Sequence, residues 1–208
     1  MDHPVVDLSH WNVANEAIPL AEIKAAGVIG IIHKCTQGYD YLDPTFYERR
    51  EKYAARRVSA EAVGLLWGAY HFLEPGDMRK QAEWFVLNVG DGPYLLAADH
   101  EDPAVSINDL KDFLNVCYDL TGQRPVVYSG HVIKEQLGGA NDEFLGKHRL
   151  WLAQYTTGNP SWPDHTWMTW WLHQYTDGGT VAGFSPLDLN HFVGDDSDQL
   201  VEEWLGYV

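Results

Sequence analysis

The sequence predicts an α/β fold in which five β-α units are followed by three strands and the sheet closes into a barrel. Three observations carry this. Eight short runs of Val, Ile, Leu and aromatic residues have the length and chemistry of buried strands. Helical patterns separate the first five runs and then stop. Alternating β and α favours a parallel sheet with right-handed crossovers, and eight strands favour closing it, a doubly wound open sheet being the alternative.

The elements follow in order. VVD at 5–7 is the first strand and VIGIIHK at 28–34 the second. Between them IPLAEIKAAG at 18–27 reads as a short helix stopped by a Gly. DPTFYERREKYAARRVSA at 43–60 opens with Asp as N-cap and Pro at the first helical position. GLLWGAYHF at 64–72 is the third strand, DMRKQAEWFVLNVG at 77–90 the next helix, and PYLLAADHE at 93–101 the fourth strand. In SINDLKDFLNVCYDLTG at 106–122, Ser106 and Asp109 have capping-box spacing, with Asp for the usual Glu. RPVVYSG at 124–130 is the fifth strand, and a weaker helical stretch over 131–148 is broken by Gly138 and Gly139.

After LWLAQY at 150–155 the alternation stops. TTGNPSWPDHTW at 156–167 holds two prolines and no helical period. MTWWLHQY at 168–175 and LDLNHF at 187–192 are the last strands, and DGGTVAGFSP at 177–186 reads as a tight connection between them. SDQLVEEWLGY at 197–207 closes the chain as a helix.

A chain of 208 residues, 45% hydrophobic and 21% charged, is expected to be one domain over 1–208. The formal charge of -16 argues against nucleic acid or an anionic membrane as partner, since both want a basic face. A monomer is expected. MDHPVVDLSH shows no basic-then-apolar leader, and no apolar run reaches membrane-spanning length, so synthesis in the cytoplasm is expected. Cys35 and Cys117 lie far apart and read as free buried thiols. No Gly-rich phosphate loop is present.

In a barrel of this kind the site lies at the C-terminal strand ends. Asp7, Lys34, Tyr70, Asp99, Glu101, Tyr128, Tyr155, Gln174, Asp188 and Asn190 fall there. Asp99 and Glu101 sit at i and i+2, so both face the barrel mouth. Two carboxylates that close raise one pKa and give a protonated acid beside an ionised partner, the pairing glycoside hydrolysis needs. Of the ten histidines, none shows metal-ligand spacing, and each reads as a hydrogen-bonding lining residue. No metal or cofactor is expected.

Seven segments, in order, resemble glycoside hydrolase family 25 lysozymes: VDLSHWN at 6–12, KCTQG at 34–38, GAYHF at 68–72, AADHE at 97–101, LWLAQY at 150–155, QYTDGGTVAG at 174–183 and LDLN at 187–190. The resemblance implies a TIM-like flattened barrel and a muramidase that cuts the β-1,4 bond between N-acetylmuramic acid and N-acetylglucosamine in peptidoglycan. By it, Glu101 is the general acid and Asp99 its partner, Asp7 and Asp188 are the other active-site carboxylates, and Tyr70, Tyr128, Trp171, Gln174 and Asn190 line the substrate groove. Gln37, Cys35 and His173 depart from the family's usual Glu, Ala and Trp. The rivals are a chitinase-like endo-hydrolase and a non-catalytic carbohydrate-binding domain on the same fold. The resemblance with no visible leader suggests action on the bacterial cell wall in the manner of a phage endolysin. Because Asp99 and Glu101 approach from one side, participation of the sugar's own acetamido group, with retention, is expected.

Overall fold

The computed structural model describes residues 4–206 except 11, 13–17, 40–44, 93, 157, 195 and 205. Its strands are β1 (Val5–Leu8), β2 (Gly30–Gln37), β3 (Leu66–Phe72), β4 (Leu95–Asp99), β5 (Val126–Ser129), β6 (Leu150–Ala153), β7 (Leu172–Val181) and β8 (Phe184–Phe192). They hydrogen-bond in sequence order into a closed barrel. The first seven run parallel, each to the next. β8 is antiparallel to both β7 and β1. The parallel order that the alternating units favour thus gives way to an antiparallel pairing at the last strand. Too few residues separate β7 from β8 for a crossover, so the chain can only fold back as a hairpin.

That hairpin also corrects the expected tight connection over 177–186. β7 continues to Val181 and β8 starts at Phe184, so all but Ala182 and Gly183 of that segment is paired strand. The seventh strand, in turn, starts at Leu172, four residues later than expected.

The helices are α1 (Leu20–Ala25), α2 (Thr45–Ala62), α3 (Met78–Val89), α4 (Ile107–Thr121), α5 (His131–Leu137) and α6 (Ser197–Trp204). The cap proposed at Asp43 and Pro44 lies outside the described residues. Asp77 caps α3 by accepting from the Lys80 amide at 3.1 Å. The Ser106–Asp109 capping box on α4 is complete, and Gly122 ends that helix with φ 72°, a left-handed conformation that favours glycine. α5 stops at Gly138, and the rest of the weak stretch keeps only a short 3-10 turn over Leu145–Lys147.

Alternation along each strand divides the core in two. Val6 and Leu8 point outward to the shell under α1–α4, with Ile31, Phe85, Phe113 and Leu114. Val5 points inward with Ile32, Leu95, Ala97, Val126, Trp151 and Leu172. The inner cluster ends at Trp204 of α6, whose indole N–H donates to the Trp67 carbonyl at 2.9 Å. α6 therefore stoppers the barrel at the N-terminal ends of the parallel strands. The opposite end stays open. Cys35 and Cys117 are both buried free thiols, as the sequence indicates.

Candidate active site

At the open end a cavity of about 210 Å³ is lined by Asp7, Tyr70, Asp99, Glu101, Tyr128, Trp151, Tyr155, Gln174, Asp177 and Asp188. Strand polarity explains the gathering. β3, β4, β5, β6 and β7 each deliver an inward residue at the C-terminal end, and the antiparallel β8 brings Asp188 to the same level. Asp7 and Asp188 are register partners.

Asp7 is buried and held by two amides. Gln174 Nε2 donates to both its oxygens at 3.1 and 2.9 Å, and Asn190 Nδ2 donates to Oδ2 at 2.8 Å. Burial raises its pKa, while these bonds and one from Asp188 favour the charge. Asp188 is pushed up to about 8 by burial, then by the charge of Asp7 and the hydrogen bond between them. At neutral pH the pair holds one proton, on Asp188, which donates it to Asp7.

Asp99 lies at the end of β4, almost fully buried, and its Oδ1 has no hydrogen-bond partner. Burial and the charge of Glu101 raise its pKa well above the carboxylate range, against the pull of Lys34. Glu101 is the most open of the four. Its pKa is raised by desolvation and by Asp7, with His131 and Lys34 opposing. Burial, followed by the surrounding carboxylates, keeps Tyr70 and Tyr128 neutral.

The structure thus unites Asp7, Asp99, Glu101, Asp188, Tyr70, Tyr128 and Gln174 in one cavity. Two expected groove residues stand elsewhere. Asn190 is fully buried behind the wall and reaches the site only through Asp7 and Trp151. Trp171 precedes β7 and so sits at the closed end. There its indole donates to Glu203 Oε2 at 2.5 Å and packs near Trp204. The expectation for Trp171 is corrected: a residue before a parallel strand begins cannot reach the mouth where that strand ends.

Two lining residues escaped the sequence reading. Trp151 is the register partner of Tyr128. Inward alternation on the sixth run could have found it. Asp177 belongs to the part of the hairpin that looked like a turn. The histidines form walls rather than a centre. His33 stacks on Trp67 and contacts Arg56 at 2.9 Å, and burial pushes it down to about 3. His71 contacts Thr36 at 2.7 Å and Gln81 at 3.1 Å and is also pushed down to about 3.

A closed α/β barrel with a carboxylate-lined mouth has the groups that glycoside hydrolysis needs. Comparison with known proteins gives the family. The sequence profile of "Glycosyl hydrolases family 25" matches residues 6–184, and the chain belongs to that family. It is 30% identical to "Uncharacterized protein YegX" of Escherichia coli (strain CFT073), over 98% of this chain and 72% of the relative. It is 26% identical to "Lysozyme M1" of Streptomyces globisporus, over 91% of this chain and 67% of the relative. The solved muramidase from Trichobolus zukalii superposes with a TM-score of 0.81 at 26% identity, covering 98% of this chain and 99% of that one.

Proposed function

We propose that the protein is a muramidase that hydrolyses the β-1,4 bond between N-acetylmuramic acid and N-acetylglucosamine in bacterial peptidoglycan. Glu101 is the acid and Asp99 assists the substrate's acetamido group. Family membership makes the chain a glycoside hydrolase. The relatives named as lysozyme and muramidase support the choice of glycan.

The observation that carries the mechanism is the unpartnered Oδ1 of Asp99. A buried acceptor left unpaired is costly, so it is a place prepared for a donor. The acetamido N–H of the sugar on the non-reducing side of the bond fills it. That bond favours the ionised form of Asp99 and leaves the proton of the Asp99–Glu101 pair on Glu101.

The acetamido carbonyl oxygen then attacks the anomeric carbon. The bond to the leaving oxygen breaks, and its electron pair takes the proton of Glu101. Asp99 stabilises the positive charge that spreads over the cyclised acetamido group. Water opens the ring, returning a proton to Glu101, with net retention. Asp7, ionised at the floor, adds to the negative potential around the reacting carbon.

Mass spectrometry of digested, purified peptidoglycan tests this reading. New reducing ends on muramic acid are expected. Reducing glucosamine or a cut peptide would refute it. Proton NMR of the first-formed anomer should show retention, and inversion would remove the acetamido route.

A further inference from the structure

Four hydrogen bonds converge on one buried amide. Gln174 Nε2 donates to both oxygens of Asp7, and its Oε1 accepts from Tyr128 Oη at 2.8 Å and from Tyr155 Oη at 3.0 Å. The carboxylate settles which way the amide faces, because the reverse orientation would press a carbonyl oxygen against it. Asn190 repeats the pattern. Its Nδ2 donates to Asp7, and its Oδ1 accepts the indole N–H of Trp151 at 2.6 Å.

A tyrosine hydroxyl and an indole each have one proton to give. Tyr128, Tyr155 and Trp151, which line the cavity, give theirs to these two amides. What the tyrosines turn toward the cavity is a lone pair. Asp99 adds an unpartnered buried oxygen, Oδ1. Among the described lining residues there is no Lys or Arg. Apart from the acidic protons of the Asp99–Glu101 pair and the hydroxyl of Tyr70, the wall receives hydrogen bonds and offers few.

We propose that Gln174, seconded by Asn190, is a positioning residue that fixes the donor–acceptor polarity of the pocket, so that it admits a sugar face bearing N–H and O–H groups and refuses one bearing a carboxylate. This rests on the muramidase reading and deepens it. A muramyl residue carries an acid on its lactyl ether. That acid and the peptide attached to it must therefore face the open side of the cleft, and only the acetamido edge enters.

The same amide ties the pocket's polarity to the charge of Asp7. The other charged groups of the cavity are Asp188 on β8, Asp177 on β7, and Asp99 and Glu101 at and just past the end of β4, with Lys34 on β2 acting on Asp99 and Glu101, and all remain when Gln174 is changed. Gln174→Met keeps the length of the side chain and removes both functions. Tyr128→Phe removes one donor and leaves the amide on Asp7.

Two measurements that need no turnover test this. In the first, carboxyl ¹³C NMR follows the titration of Asp7. Its midpoint should rise by about one pH unit in Gln174→Met, which has lost two donors to the carboxylate, and stay in place in Tyr128→Phe. In the second, equilibrium binding compares a neutral N-acetylglucosamine trimer with the same trimer oxidised to a carboxylate at C6. The protein should prefer the neutral probe, and Gln174→Met, with its tyrosine protons released, should lose about fivefold to tenfold of that preference. An unmoved Asp7 midpoint in folded Gln174→Met overturns the proposal. So does an equal shift in Tyr128→Phe, or an unchanged preference between the probes. If neither probe binds, the carboxyl titration decides alone. Failure of the muramidase reading shows separately, as the absence of muramic acid reducing ends in the parent's digest.

Discussion

The ring of Trp204 occupies the place where residue 30 would carry a side chain: a Cβ on Gly30 would lie 2.6 Å from it. The closed end of the barrel is therefore a fitted joint between β2 and the last helix. Gly30→Ala should overpack it and destabilise the protein by about 1–3 kcal/mol. Trp204→Ala should empty it and cost about 3–5 kcal/mol. Urea unfolding midpoints at constant slope would measure both. A neutral Gly30→Ala would contradict the packing.

Asp188→Asn should stabilise the fold at neutral pH. The folded protein holds the Asp188 proton up to about pH 8, whereas an unfolded chain releases it near pH ~4. Between these values the folded state binds more protons, so stability falls as pH rises. The variant escapes that loss. Its Tm should exceed the parent's by about 2–4 °C at pH 7, with the gap widening from about pH 4 to about pH 8. Parallel Tm curves across that window would show that Asp188 carries no such proton.

Glu101→Gln should leave the circular dichroism unchanged and the Tm no lower than the parent's, because removing a carboxyl whose pKa is raised in the fold costs no stability at neutral pH. Turnover of wall glycan should fall about 10²- to 10⁴-fold. In the parent, activity should decline on the alkaline side as Glu101 ionises, at a midpoint above the ordinary glutamate value because of desolvation and the charge of Asp7. A variant that clears cell walls at the parent rate would assign the acid elsewhere.

Trp171→Phe separates the two ends of the barrel. It removes the bond to Glu203 Oε2 and should cost about 1–3 kcal/mol of stability. The KM for soluble glycan should change by less than about twofold, the scatter expected of a site that loses no contact. A large rise in KM without loss of stability would put Trp171 back in the groove.

Cys35 and Cys117 should resist a thiol reagent in the native protein and both react after denaturation. Burial pushes each thiol far up from its usual pKa, so neither offers a thiolate. Rapid modification of the folded protein would contradict that burial.

Much of this was legible in the sequence because strand and helix periods alternate cleanly through the first five units. The Ser106–Asp109 cap and the Asp99–Glu101 pair were readable for the same local reason: each depends on a short spacing along the chain, although β4 ends at Asp99 and Glu101 lies just past it. What failed depended on which end of an element a residue meets. Trp151 and Trp171 are both aromatics beside a strand. One is inward within β6 and the other precedes β7, and only the true start of β7 tells them apart. Asp177 was hidden because a Gly-rich hairpin arm has the composition of a turn. The antiparallel course of β8 was within reach, since the gap before it is too short for a crossover. The convergence of Tyr128, Tyr155 and Asp7 on Gln174 was not, because it joins four strands' worth of separate sequence.

The barrel is sealed by the pairing of its first strand with its last, and Asp7 meets Asp188 only across that seam. Contacts so distant along the chain are late and slow to form, because a long loop must close before they bring any gain. A nascent polypeptide on the ribosome that has not yet extruded β8 has β1 paired on one side only, with β2, no Asn190 to hold Asp7 and no shared proton. Until then it is a set of β-α units without a catalytic floor. Glycan cleavage thus begins only after translation has passed the far side of the hairpin, and a product terminated early should be catalytically silent however well its helices are formed.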